Sequence, residues 1–289
     1  MAGVNTDTVG PRRRDGAVRL RSRWRDGLLL AAVAAVLIFV AAPVFWVFVA
    51  SFRSGIGLIA GAETQFTLAN YTKIWENDFG RYLFNSLLIC IVSVIICTAA
   101  SACAAYVMSR YRFQYKKLLF AALVVSQLFP WVVLVTPLFI LFANSGLLNT
   151  YAGIIFCYVA VTLPFSMYLM VGYLEAIPRD LDEAALMDGC SRLQVLTQIV
   201  FPLMVPGIVA TATYSFLVVW SEFLLALALL TKTSVKTLPL GLALFFGEDT
   251  VDWGAVMAAS ALTALPALLL FLPVQSRLVS GLTSGSIKG

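Results

Sequence analysis

The charged residues of this chain are clumped, and they leave uncharged stretches at Gly27–Phe52, Tyr82–Ser109, Leu118–Leu174, Leu193–Ser221 and Trp253–Ser276. Each is long enough to cross a bilayer as a helix, which takes about 20 apolar residues. A surface helix would carry charge along one face, and none of these stretches does. Of 289 residues, 61% are hydrophobic and 12% charged, against about 25% charged in soluble domains. A soluble monomer is excluded, and the chain reads as all-α, a polytopic helical membrane protein.

The net charge of +5 does not point to nucleic acid. Arg12, Arg13, Arg14, Arg19, Arg21, Arg23 and Arg25 crowd the stretch before the first apolar run, where they act as a topology signal and favour anionic membrane lipid. Histidine is absent, and Cys90, Cys97, Cys103, Cys157 and Cys190 lack zinc-ligand spacing. No metal site and no catalytic set is indicated, and the cysteines read as small packing residues.

Six spans follow: Leu28–Ala50, Tyr82–Met108, Leu118–Phe142, Tyr151–Leu174, Val205–Leu230 and Ala255–Val274. The turn formers Asn144-Ser145-Gly146 and Asn149-Thr150 divide the longest uncharged stretch into the third and fourth. Positive charge is retained on the cytoplasmic side. The basic tail and the connection bearing Arg110, Arg112, Lys116 and Lys117 are therefore cytoplasmic, and with an even number of spans so are both termini. The expected organisation is a basic tail over 1–26, a six-helix membrane domain over 27–276 that includes a cytoplasmic loop at 175–204, and a C-terminal tail over 277–289. Pro130 and Pro137 in span three, Pro164 in span four and Pro266 in span six are candidate kinks. The small residues Ala99–Ala105 suit close helix packing.

The cytoplasmic loop from Ile177 to Pro202 is too polar to span and too patterned to be slack. Asp180, with Glu183 three positions on, suits a capped first helix, and Gly189 suits the left-handed residue that ends it. Ser191 with Gln194 repeats the capping signal for a second helix. Ala184 and Ala185 offer little side-chain bulk, which would let another protein approach the backbone. Within the membrane, Glu222 is the one acidic residue well inside an expected span. Its burial is costly unless it meets water or a partner, which makes it a candidate pathway residue or a structural hydrogen-bonding group. Trp220 beside it is either a sugar-stacking aromatic or core.

Glu183-Ala184-Ala185, with Gly189, Ile199 and Phe201-Pro202 at their spacings, resembles the EAA loop of bacterial ABC-importer permeases; Phe201 stands where leucine is usual. Asn70-Tyr71, Asn85-Ser86-Leu87, Trp220-Ser221-Glu222-Phe223 and the terminal Ser280–Gly289 resemble the carbohydrate branch, and within it the maltose-type second permease, where asparagine often stands at the position of Ser221. The resemblance implies the type I ABC-importer permease fold in a bacterial plasma (inner) membrane. It also implies a heterodimer with a second permease subunit, two cytoplasmic ATPase subunits and an external solute-binding protein. ATP and Mg²⁺ would be used by the ATPase subunits and no cofactor bound by this chain, which has no Gly-x-x-x-x-Gly-Lys-Ser/Thr loop of its own. Glu183, Ala184, Ala185, Asp188 and Gly189 are the implied ATPase-coupling residues. In the apolar and acidic segment Thr231–Trp253, Leu240, Phe245, Phe246, Gly247 and Glu248 are the implied contacts to the binding protein, and Gly281–Gly289 should lie near the ATPases. An ion-coupled secondary transporter is the competing reading from another class; it leaves the loop motif without a purpose.

Overall fold

The computed structural model describes residues 15–54, 65–111, 114–246 and 251–284, with side chains described between 26 and 273 of these. The chain falls into two units, Met1–Ala50 and Ser51–Gly289. The first unit is made by helix α1 (Asp15–Ser51), whose stretch Asp26–Ser51 is apolar enough to cross a membrane and which contains Pro43.

The second unit contains α2 (Ala69–Glu76), α3 (Phe79–Arg110), α4 (Lys116–Ser126), α5 (Trp131–Asn144), α6 (Tyr151–Glu175), α7 (Asp180–Met187), α8 (Arg192–Leu203), α9 (Val205–Trp220), α10 (Leu224–Leu229), α11 (Leu238–Ala243) and α12 (Trp253–Ser284). Among the described residues, extended pairing is limited to isolated bridges, such as Phe246 with Val251. Among the described residues, four helices are long and apolar enough to span, and up to six spans result if each of two bent pairs counts as one.

The third span is broken between α4 and α5, which meet at 97°, and α8, the second helix of the elbow, meets α9 of the fifth span at 73°. Pro130 stands at the first break, in extended conformation as the residue before α5. Pro137, Pro164 and Pro266 all run inside continuous helices, so the missing proline donor is accommodated at those three places. The fifth span also ends sooner than expected. It stops at Trp220, and α10 begins after Ser221–Phe223.

α3 is the axis of the second unit, packed along both α6 and α9. Where the three meet, the Cys97 thiol lies 3.3 Å from the hydroxyls of both Thr162 and Ser166, and Ser166 is 3.0 Å from Ser215. Small polar side chains of this kind let helices approach closely and bond across the contact. In the Ala99–Ala105 run, Ser101, Ala102 and Ala105 are buried while Cys103 is exposed, so one face packs rather than all. Two apolar cores flank this seam. One gathers Ala105, Tyr106, Met170, Leu174, Val195 and Met204 near the α7–α8 elbow, and the other gathers Phe79, Tyr82, Ile154, Trp220, Leu229 and Leu238 toward the opposite end.

In the second core Gly241 of α11 lies against Tyr82, and a β-carbon there would fall inside the van der Waals envelope of the ring. Overfilling a packed core costs about 1–3 kcal/mol. Gly241→Ala should therefore lower the midpoint of thermal unfolding in detergent, and adding Tyr82→Leu should recover part of the loss; equal midpoints for the wild type and Gly241→Ala would show that α11 does not pack on α3.

Candidate functional site

The α7–α8 elbow forms as the local sequence dictates at its bend. Gly189 has φ +87°, and its N–H reaches the Leu186 carbonyl while that of Cys190 reaches Ala185. This is the paired bonding of a glycine-ended helix. Ser191 then starts α8 with a complete capping box: its hydroxyl accepts from the Gln194 N–H, and the Gln194 side chain accepts from the Ser191 N–H. The box expected at Asp180 does not form. Arg179 holds the position before the helix and Asp180 makes no cap bond, which leaves Glu183 exposed on the first turn rather than folded back on the backbone.

Long-range contacts fix the rest. Asp182 is buried and accepts from the Arg110 guanidinium, with Nε 2.8 Å from Oδ2 and Nη2 3.5 Å from Oδ1. The same Nη2 donates to the Ile177 carbonyl at 3.1 Å. The two side chains keep 7% and 11% of their exposure, and removing one partner from such a pair typically costs about 3–5 kcal/mol. Arg179 donates to the Ser109 carbonyl. Arg192, on the second arm, lies 5.3 Å over the Tyr111 ring and 3.3 Å from its hydroxyl. In the sequence Arg110 was legible only as a positive-inside charge. The one local hint at its partner is that Asp182 and Ala185, three apart, share a helix face, and Ala185 is indeed buried in the adjoining core.

That burial corrects one expectation. Ala184 faces outward beside Glu183, but Ala185 packs inward and cannot give an outside protein access to the backbone. Asp188 and Gly189 are exposed, as are the apolar Leu181, Leu186, Met187 and Leu193. The outward face thus combines carboxylates with bare hydrocarbon, and the apolar half was not anticipated.

Glu222 and Trp220 are both buried. The Glu222 carboxylate accepts from the Tyr158 hydroxyl at 2.8 Å and from the N–H groups of Leu225 and Ala226 at 2.7 and 3.0 Å. It closes the start of α10, where an anion is favoured, and this is the structural hydrogen-bonding role. Trp220 donates to the Thr263 carbonyl at 3.0 Å and stacks on Phe216, so the core reading holds for it. A cavity of about 240 Å³ sits at the α4–α5 break, among Gln127, Trp131, Leu138, Cys157, Ala160 and Pro164. No motif in the sequence marks it.

The segment after α10 is tied down rather than loose. Asn85 donates to the carbonyls of Ser234 and Lys236 and accepts from the Tyr151 hydroxyl, and the Ser86 hydroxyl accepts from the Leu238 N–H. Asn149, at φ +58°, accepts from Thr231 and Lys232. Leu240 is buried against the chain's own core, which removes it from the expected contact set; Phe245 is half-buried and Phe246 exposed. Gly247 and Glu248 lie outside the described residues. Asp252 pairs with Lys73 and accepts from the Ala255 N–H at the start of α12. Partial burial pushes its carboxyl upward, but the bonds from Lys73 and the backbone outweigh this and hold it below the ordinary range.

Residues 97–282 match the family described as binding-protein-dependent transport system inner membrane component. The chain is 37% identical over 253 residues to the trehalose/maltose transport system permease protein MalG of Thermococcus litoralis, covering 86% of this chain and 91% of the relative. It is 32% identical over 267 residues to the diacetylchitobiose uptake system permease protein DasC of Streptomyces coelicolor, covering 89% and 96%. A crystal structure of a bacterial ABC transporter involved in the import of the acidic polysaccharide alginate contains a chain of the same fold. The TM-score is 0.75 at 20% identity, over 89% of this chain and 97% of that one.

Two outcomes follow from the geometry. Glu222→Ala leaves three buried donors without an acceptor, each worth about 1–3 kcal/mol; it should lower thermal stability more than Tyr158→Phe, with Glu222→Gln in between. Equal stability for Glu222→Ala and the wild type would remove the structural role. The depressed carboxyl of Asp252 contributes stability that is complete above its unfolded value of about 3.9 and is lost as pH falls through its lower folded value. Because Lys73 is largely exposed, the contribution is under about 1 kcal/mol. Lys73→Ala should cost that amount at pH 7 and nothing well below pH 3, read as a pH series of unfolding midpoints.

Proposed function

Because this chain belongs to the family of binding-protein-dependent transport system inner membrane components, we propose that it is one permease subunit of an ATP-driven importer for a carbohydrate or a related solute. The observation that carries this reading is the elbow itself: a short helix locked to the end of a long membrane helix, presenting Glu183, Ala184, Asp188 and the apolar Leu186 and Met187 outward. A transport protein driven by ions has no need of such a face. The relatives named for trehalose/maltose and diacetylchitobiose favour a sugar as the solute.

In this reading the elbow lies in the cytoplasm and docks in a cleft of an ATPase subunit, where ATP and Mg²⁺ are bound and hydrolysed. A second permease subunit completes the pathway, with a second ATPase beneath it. Glu183 pairs with a cation in the cleft, and the exposed hydrocarbon of Met187 and Leu186 fills it. Closure of the ATPases moves the elbow as a solid piece, and the membrane helices alternate access from one side to the other. On the outer side, an external binding protein delivers the solute against the region of Phe246, whose aromatic face is exposed beside Trp253. Trp220 and Glu222 hold the α9–α10 junction in shape while this happens.

The test is reconstitution with the partner permease, the ATPases and the binding protein, using a panel of sugars. Glu183→Lys inverts the charge at the proposed contact; it should insert normally and lose at least tenfold in both uptake and stimulated ATP hydrolysis. Undiminished uptake by this variant would remove the docking role, and failure of the wild-type complex to take up any solute at the expense of ATP would remove the importer reading.

A further inference from the structure

We propose that the end of α3 at Ser109-Arg110-Tyr111 is the strut that carries the elbow's displacement into the membrane domain, with Arg110 and Asp182 as its positioning pair. This rests on the importer reading above and concerns how motion leaves the elbow. Covalently the elbow is continuous with α6 and α9, but its hydrogen bonds to distant side chains and carbonyls run to the end of α3.

Three consecutive residues of α3's end each take a different part of the elbow. The Ser109 carbonyl accepts from Arg179, just before α7. Arg110 grips Asp182 on the first turn of α7 with two nitrogens and the Ile177 carbonyl with one of them. Tyr111 carries Arg192, the first residue of α8. Both arms are therefore fixed to one place, on opposite sides of the Gly189 bend.

The covalent routes are less direct. Between α6 and α7 lies a short non-helical link at Ala176–Arg179. Between α8 and α9 the axis turns by 73°, and α8 contains a π-helical stretch at Val195–Val200, a coil that interrupts the α-helical bonding pattern and is frequent at functional sites. Force sent along either route meets a bend before it reaches a span. The end of α3 has no such bend: from Phe79 to Arg110 it is one helix, buried against α6 and α9.

The pairing is suited to bear load. Arg presents a planar fork, which fixes direction as well as distance. With the pair almost wholly buried, water does not compete for either partner, and letting go leaves a buried charge unpaired. An apolar contact at the same place would resist separation but would slide. Asp182 faces inward on the same helix whose outward face carries Glu183, so a push on one side of α7 is met on the other by Arg110.

Two measurements test this. In a cysteine-free full chain in lipid, spin labels at Val107→Cys on α3 and Met187→Cys on α7 should give one narrow distance distribution. Asp182→Asn should broaden it, and the exchanged pair Arg110→Asp with Asp182→Arg should narrow it again. In the reconstituted complex, Asp182→Asn should keep ATPase association and hydrolysis within twofold of wild type while solute carried per ATP falls at least fivefold, with the exchanged pair recovering most of that ratio. A broad distribution in the wild type, or a wild-type ratio in Asp182→Asn, would overturn the strut. Loss of ATPase association that the exchanged pair does not recover would reduce the contact to a folding tie and overturn it equally. The spin-label result does not depend on transport, so absence of ATP-driven uptake in the wild type would sink the importer reading and leave the strut judged on its own distances.

Discussion

Hydrocarbon offers no hydrogen bonds, and that constraint decides where the helices of this chain can stop. A helix that ends at membrane depth exposes backbone donors and acceptors that only protein can satisfy. Three helix starts are covered by a side chain brought from elsewhere or from close by. Thr150 takes the Gly153 N–H at the start of α6, and Glu222 takes two N–H groups at the start of α10. The Ser86 hydroxyl takes the Leu238 N–H as α11 begins. The acidic residue that looks costly by composition is thus what permits a break that would otherwise be costlier.

This explains which parts of the fold could be read from the sequence. Gly189, Ser191 and Gln194 act on their own neighbours within four residues, so the bend of the elbow was legible from local chemistry alone. The apolar runs named the helices for the same reason: burial in lipid is decided residue by residue. Asp182 was not legible in its role, and Glu222 was legible only as one of two alternatives, because the partners Arg110 and Tyr158 lie far away in the chain and no spacing rule joins them. Of the four flagged prolines, Pro130 stands at the break between α4 and α5, and Pro137, Pro164 and Pro266 sit inside continuous helices.

The same distinction runs through the candidate site. The EAA-like tripeptide carried no signal of which way its residues face: Glu183 and Ala184 look outward and Ala185 inward. The outward hydrocarbon of Leu186 and Met187 had no signal, because apolar residues in a membrane protein draw no attention. In the segment after α10, the apolar stretch beside acidic residues implied a surface for an external partner. The amide of Asn85 and the left-handed Asn149 fasten much of it to the chain's own helices, an arrangement visible only when α3 and α6 are placed side by side.

α3 touches both of these regions. Asn85 and Ser86 fasten the stretch from Ser234 to Leu238, and Ser109, Arg110 and Tyr111 fasten the elbow. At 1.5 Å per residue the two sets of fastenings lie about 35 Å apart along one rod. Linkage then works in both directions. Whatever free energy a ligand at one end spends on tilting the rod is subtracted from, or added to, the affinity of a ligand at the other end by the same amount. In the proposed importer, a nucleotide-dependent grip on an external partner, and that partner's influence on nucleotide affinity, would be one coupling constant seen from two ends of a helix.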